Sequence, residues 1–255
     1  IDFVDIDPNT YNMSVECLSE KLIQAEKNGN LPKIVIPVHF GGQPCDMPAI
    51  NKLSEKYGFK IIEDASHAVG ASYNKLKIGS CSHSDITVFS FHPIKIITTA
   101  EGGMALTNKA DLADKLFRLR THGITSDDHK MKKRSENEIW NYQQIELGLN
   151  YRMNDIQAAL GLNQMKRLDK IISRRHDIAK KYDLELGELS ITTPWQNPNF
   201  HSSYHLYNIL IANESNFKNQ RQVYDVLREK GISVNLHYIP VHRQPYYENL
   251  GFKKN

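Results

Sequence analysis

The chain has 255 residues, enough for one large α/β domain or for one domain with a small appendage. Charged residues make up 24% and hydrophobic ones 40%, too apolar for intrinsic disorder. With 32 basic against 29 acidic residues, a net charge of +3 and no block of one sign, the composition argues against nucleic acid or a membrane surface as partner. No apolar run approaches the ~20 residues of a membrane span. Cys17, Cys45 and Cys81 form no C-x-x-C pair, so neither a disulfide framework nor a zinc site is indicated and a cytoplasmic setting is expected. The first residue is Ile1, the opening IDFVDID reads as a strand leaving a fold, and no signal peptide is expected. A fragment, truncated at both ends, is the expectation.

Residues 33–38 (KIVIPV) are β-branched and almost continuously apolar, the pattern of a strand covered on both faces. A turn, GGQPCDM, brings Asp46 to the N-cap position of a helix running to about Tyr57, and Gly58 stops it. KIIED (60–64) is the next strand. Strand, helix and strand at this spacing make a βαβ unit with a parallel, right-handed crossover. Short strands follow at 85–90 and 103–107, then a helix from 109 to about 119 and a polar loop, SDDHKMKKRSENE. A long amphipathic helix is expected from Asp155, with Ile156, Ala159, Leu160, Met165, Leu168 and Ile172 at helical spacing. Beyond Leu184 a strand (208–211), a helix (220–229) and a strand (233–237) suggest a smaller α+β unit. The expected division is a large α/β domain over 1–150, then a linking helix and small domain over 151–255.

Two segments carry the chemistry. In KIIEDASHAVG (60–70) the carboxylates lie at the carboxyl end of a strand, where open α/β sheets bind ligands, although an isolated Glu-Asp pair also caps turns. In FSFHPIKIITTAEGG (89–103) Lys95 sits among Ile94, Ile96 and Ile97. Such a lysine either snorkels to the surface or has its ammonium destabilised by desolvation, leaving a nucleophilic amine. Together, an Asp at one strand end and a Lys after a later strand are the two groups that pyridoxal phosphate needs. One makes the covalent bond and the other keeps the pyridine nitrogen protonated.

The strings EDASHA, SFHPIK and TTAEGG, in this order and spacing, resemble the DegT/DnrJ/StrS sugar aminotransferases. The segments IPVHFGGQPCDM, RTHGI, LGLNYRMNDIQAALG and NLHYIPVH extend the likeness over essentially the whole chain. The resemblance implies a fold-type I pyridoxal-phosphate enzyme with a mixed, mostly parallel sheet and helices on both faces. It implies Lys95 as the Schiff-base lysine, Asp64 as partner of the pyridinium nitrogen, His67 beside the cofactor ring and Ser90 on its phosphate. Asn150 would reach the cofactor phosphate of a neighbouring subunit, giving a homodimer with shared sites. Arg152, as a phosphate or carboxylate fork or a structural ion pair, and Asn235, Leu236, His237 and Tyr238 are implied substrate contacts, as are Ser90 and Asn150. L-Glutamate is the implied donor. The implied acceptor is the C4 ketone of a UDP-linked 4-keto-6-deoxy-N-acetyl hexose, as in pseudaminic acid biosynthesis.

His201 and His205 stand four apart, a zinc-like spacing that no carboxylate or cysteine completes, so no metal is expected. Gly41-Gly42 lacks the G-x-G-x-x-G of a dinucleotide loop. A lyase-type branch that replaces the lysine with histidine is disfavoured by Lys95, and a non-catalytic truncated member is the remaining rival.

Overall fold

The computed structural model describes residues 1–133, 141–211 and 219–252. Helix α1 (Val15–Lys27) is followed by strand β1 (Ile34–Val35), helix α2 (Met47–Tyr57), strand β2 (Lys60–Asp64) and the hairpin of β3 (Ser72–Tyr73) and β4 (Leu76–Lys77). Next come β5 (Ile86–Ser90), β6 (Gly103–Leu106), α3 (Ala110–Leu119), and the pair β7 (Ile124–Thr125) and β8 (Gln143–Gln144). Helices α4 (Asp155–Met165) and α5 (Leu168–Leu186), strands β9 (Ile191–Thr192), β10 (Phe200–His201) and β11 (Leu210–Ile211), and helices α6 (Gln220–Glu229) and α7 (Pro245–Asn249) complete the order.

The main sheet runs β1-β2-β5-β6. Its first two pairings are parallel and the last is antiparallel, the mixed, mostly parallel sheet expected. Helix α2 forms where its end signals put it. The Asp46 carboxylate accepts the Ala49 amide, and Gly58 stops the helix in the left-handed region at φ 79°, a conformation glycine adopts without Cβ strain. Helix α1 begins at Ser14, whose hydroxyl accepts the Cys17 amide, and buries Leu18 and Leu22. These two helices, Val35, Phe59 and Ile61 make one core cluster. A second joins Phe89, Phe91, Ile96 and Ile97 to Ile172 of α5.

Four expectations change. The amino-terminal strand reduces to a single Ile6–Met13 bridge. The segment 33–38 is covered on one face only: Val35 is buried, while Ile34, Ile36 and Val38 are exposed, and Val88, in register with Val38 through Asp64, extends this open apolar face across the sheet. The long helix divides at Lys166–Arg167, because its two halves serve different partners. Ile156, Leu160 and Met165 of α4 are exposed, whereas Ile172 and Leu168 of α5 pack into the second cluster. No strand forms over 233–237. There the Asn235 carboxamide oxygen accepts the Leu236 amide at 3.0 Å, competing locally with any ladder bond. In the polar loop, 126–130 is exposed, and 134–138 lies outside the described residues.

Beneath the sheet's carboxyl end lies a polar network. Glu63, 4% exposed, accepts from the fully buried His39 at 2.8 Å, from Thr87 at 2.9 Å, and from the Ser84 hydroxyl. The Cys45 amide donates to His39 Nδ1 at 3.0 Å, which assigns the proton to Nε2, facing Glu63. Burial pushes the Glu63 carboxyl up, but the bonds from His39, Ser84 and Thr87 outweigh it and hold the group below its usual value. A depressed carboxylate contributes stability above the unfolded-state pKa of about 4.3, and that stability is lost as pH falls through the folded-state value. Glu63→Gln should therefore cost about 2 kcal/mol at pH 7, with the gap to wild type closing as pH drops below about 5. Urea unfolding at several pH values measures this; a pH-independent gap, or none, would refute the role.

Candidate active site

The end of β2 is held rigidly. The Asp64 amide donates to Pro37 O at 2.9 Å, its carbonyl accepts the His39 amide at 3.1 Å, and the Ala65 amide donates to Val88 O at 2.8 Å. Of the Asp64 carboxylate, Oδ1 accepts the Ser66 amide at 3.0 Å, and Oδ2 has no protein donor among the described residues. By the alternation of a strand, Asp64 lies on the face opposite Glu63. The adjacent Glu-Asp pair thus splits into a structural carboxylate and one left at the sheet's open face.

Lys95 lies in the loop joining β5 to β6. That loop is closed at its base by Ser90 pairing with Gly103 and by the Phe91 amide on Gly102 O at 2.8 Å. Inside it, the Thr99 amide and the Thr98 hydroxyl both reach Phe91 O, and Ile96 and Ile97 are buried beneath. The same register puts Ser90 at the strand end, its Oγ accepting the His92 amide at 3.4 Å. Lys95 is half-buried, and burial holds its ammonium below the ordinary lysine value against the opposing pull of the Asp64 carboxylate. Burial thus weakens its hold on the proton, the direction that the desolvated reading requires.

His67 joins the same cluster. Burial, then the Lys95 ammonium and His237, push its pKa down to about 4, with Asp64 opposing. Its Nδ1 accepts the Gly41 amide at 3.3 Å, as a neutral imidazole can. The His237 ring centroid is 5.9 Å from that of His67 and 5.7 Å from Phe40, and burial followed by Lys95 lowers its pKa too. The structure therefore brings Asp64, His67, Lys95 and His237 together. Tyr238 stacks on His237 at 3.9 Å, while Asn235 and Leu236 are exposed beside them.

Asn150 and Arg152 stand apart on an exposed stretch. Asn150 bridges to Thr121, and the Arg152 guanidinium reaches its Oδ1 at 3.5 Å. The same stretch of chain carries large exposed apolar side chains: Leu147 is 88% exposed, Tyr151 75% and Ile156 83%.

Sequence reasoning missed His205, whose ring lies 4.4 Å from that of His67. The four-residue spacing to His201 had suggested only a metal pair. His201 instead stacks flat on His176 at 4.2 Å, so the two rings serve different neighbours. Among the described residues no group of His, Cys, Asp or Glu is arranged to hold a metal, and no helix is long and apolar enough to cross a membrane.

The cluster can be tested against the needs of pyridoxal phosphate. An amine with a weakened hold on its proton, a carboxylate oxygen without a protein donor, a flat neutral ring and a strand-end hydroxyl are the donor set that an aldehyde, a pyridine nitrogen, an aromatic face and a phosphate require. The residues fit.

A family model described as the DegT/DnrJ/EryC1/StrS aminotransferase family matches residues 2–255. The chain is 37% identical over 251 residues to the UDP-4-amino-4,6-dideoxy-N-acetyl-beta-L-altrosamine transaminase of Campylobacter jejuni, covering 98% of this chain and 62% of that protein. It is 36% identical over 255 residues to the spore coat polysaccharide biosynthesis protein SpsC of Bacillus subtilis, covering 99% and 63%. The structure of Helicobacter pylori PseC, an aminotransferase involved in the biosynthesis of pseudoaminic acid, superposes with a TM-score of 0.86 at 31% identity, over 100% of this chain and 63% of that one. The chain thus spans a little under two thirds of the length of these relatives.

Proposed function

Because the chain belongs to the DegT/DnrJ/EryC1/StrS aminotransferase family, we propose that the protein is a pyridoxal-phosphate-dependent aminotransferase acting on a nucleotide-linked sugar. The observation that carries the reading is the meeting of Lys95, Asp64 and His67 at the carboxyl end of the sheet.

When bound, pyridoxal phosphate supplies the electron sink for breaking the Cα–H bond of an amino donor. The chain's own residues do the rest. Lys95 Nζ is the attachment point and, once free, the base that takes the proton from the donor's Cα and returns it on the other side of the amino transfer. Desolvation favours its neutral form for that task. The Asp64 carboxylate, held by a rigid backbone that would spare reorganisation, would keep positive charge at the ring nitrogen. The neutral His67 ring would pack beside the cofactor ring without adding a competing cation, and the Ser90 hydroxyl would hold the phosphate.

L-Glutamate is the proposed donor. The proposed acceptor is the C4 ketone of a UDP-linked 4-keto-6-deoxy-N-acetyl hexose, a reading supported by the Campylobacter and Helicobacter relatives. Arg152 and the segment of Asn235, Leu236, His237 and Tyr238 would hold the sugar nucleotide. We place the division between large and small domains near residue 150 and the active form as a homodimer. The exposed Leu147, Tyr151 and Ile156 would be covered by a second copy, with Asn150 contributing across the interface. The three free cysteines suit a cytoplasmic setting.

A second reading, a 3-keto or dTDP-linked sugar, stands beside it because identity to the Bacillus spore coat polysaccharide biosynthesis protein nearly equals that to the Campylobacter transaminase. Assay of the intact protein with glutamate against UDP-4-keto, dTDP-4-keto and 3-keto sugars, with products identified by NMR, separates the two. Turnover should be fastest with the UDP-4-keto sugar. A preference for either of the others refutes the substrate and leaves the aminotransferase standing.

A further inference from the structure

Next to the lysine and the aspartate stands a ring with no assigned part. His205 packs against His67 at 4.4 Å between centroids, and the backbone on both sides of it is clamped. From α5, Arg175 donates to Tyr204 O at 2.8 Å and to His205 O at 3.4 Å. The Leu206 amide donates to Gly41 O and the Ser203 amide to Gly42 O, each at 3.1 Å. The Ser203 hydroxyl donates to His67 O at 2.6 Å. This close approach depends on Gly42 at φ 103°, where a Cβ would lie 2.3 Å from Ser203 Oγ and 3.0 Å from both the His205 amide and His67 O. One end of the His205 ring is sealed by the protein: Nδ1 is buried without a hydrogen-bond partner. A ring held so firmly by its backbone and so little by its buried nitrogen acts by packing.

We propose that His205 is a positioning residue: clamped through its backbone by Arg175, Ser203 and the Gly41-Gly42 turn, its ring fixes the plane of His67 at the cofactor face. The inference rests on the pyridoxal phosphate reading of this site. It also accounts for the side that His67 presents. The Gly41 amide occupies Nδ1, His205 backs the ring, and His237 borders it at 5.9 Å. The charged and titratable groups facing His67 are Lys95 from the β5–β6 loop, Asp64 from the end of β2, and His205 and His237 from the later segments. Burial and then His67, Lys95, Arg175 and His237 drive the His205 pKa to about 3, so the backing ring stays uncharged beside its neighbour.

The test compares His205→Ala, which removes the ring, with His205→Phe, which keeps a flat ring and removes both nitrogens. Nitrogen-15 NMR of the histidine-labelled intact apoprotein reads the His67 tautomer and its titration, and spectroscopic titration with pyridoxal phosphate reads affinity. In His205→Ala the His67 midpoint should rise toward the ordinary value of about 6.5. The dissociation constant should rise roughly tenfold, the scale of losing a supporting outer contact. His205→Phe should match wild type in both. If the alanine variant changes neither quantity, or if phenylalanine behaves as alanine does, the positioning role is overturned. Failure of the wild-type protein to bind pyridoxal phosphate would instead refute the cofactor reading, and the NMR comparison would still decide whether His205 sets His67.

Discussion

Lys95→Ala should abolish turnover, by at least about 10⁴-fold, because in the proposed reaction one side chain supplies both the covalent attachment and the proton transfer. The fold should survive. Lys95 forms no salt bridge among the described residues, and its loop is held by Phe91, Thr98, Thr99 and the buried Ile96 and Ile97 rather than by the ammonium. Removing a half-desolvated cation also relieves the unfavourable influence that lowers the pKa of His67 and His237. Circular dichroism and urea unfolding of the intact variant should therefore match wild type while activity is lost. Borohydride turns a carbon–nitrogen double bond into a stable amine, so treatment of the wild-type protein should leave the cofactor's mass on the peptide containing Lys95. A label on another lysine would move the centre elsewhere.

Asp64→Asn should retain the cofactor with weakened affinity and lose about 10²–10³-fold in rate, the scale of deleting one preorganised electrostatic contact. The carboxamide can keep the bond from the Ser66 amide through its oxygen, so the turn after β2 should persist. It cannot hold a proton on the pyridine nitrogen by charge. The absorbance maximum of the bound cofactor should shift as well, a signal that a purely structural cap would not move. Near-wild-type turnover with an unchanged spectrum would reduce Asp64 to a turn residue.

What could be read from the sequence was local and strongly signalled. Helix α2 follows from Asp46 and Gly58, and α6 runs over 220–229 as its pattern indicates, closed by a reciprocal cap between Asn219 and Gln222. Strands β2 and β5 end at Asp64 and Ser90, as their apolar runs imply. What escaped depended on partners distant in the chain. The break at Lys166–Arg167 has no proline or glycine to announce it; it follows from the different surroundings of Ile156 and Ile172. The strand over 233–237 had a plausible pattern, yet no pairing neighbour among the described residues. His205 lies 138 positions from His67, and no spacing rule connects two rings brought together by a glycine turn and an arginine on another helix. Similarly, strand alternation puts the adjacent Glu63 and Asp64 on opposite faces, but only the folded chain shows that His39, Ser84 and Thr87 converge on Glu63.

The β5–β6 loop has a mechanical consequence. Its base is tied at Ser90 and Gly103, the Thr98 amide on its far limb donates to Gln164 Oε1 of α4 at 3.0 Å, and Gly161 of the same helix sits so close that an added Cβ would lie 2.8 Å from Thr99 Cγ2. The lysine thus rides on a stiff mount, and in the proposed reaction its four-carbon stem is the part left to swing. Side-chain rotation of that kind runs on a picosecond-to-nanosecond scale where it is free. The mount also makes α4 a lever: Gly161→Ala would press on Thr99 and tilt the mount, so a substitution on a helix bearing no reacting group would be felt at the amine.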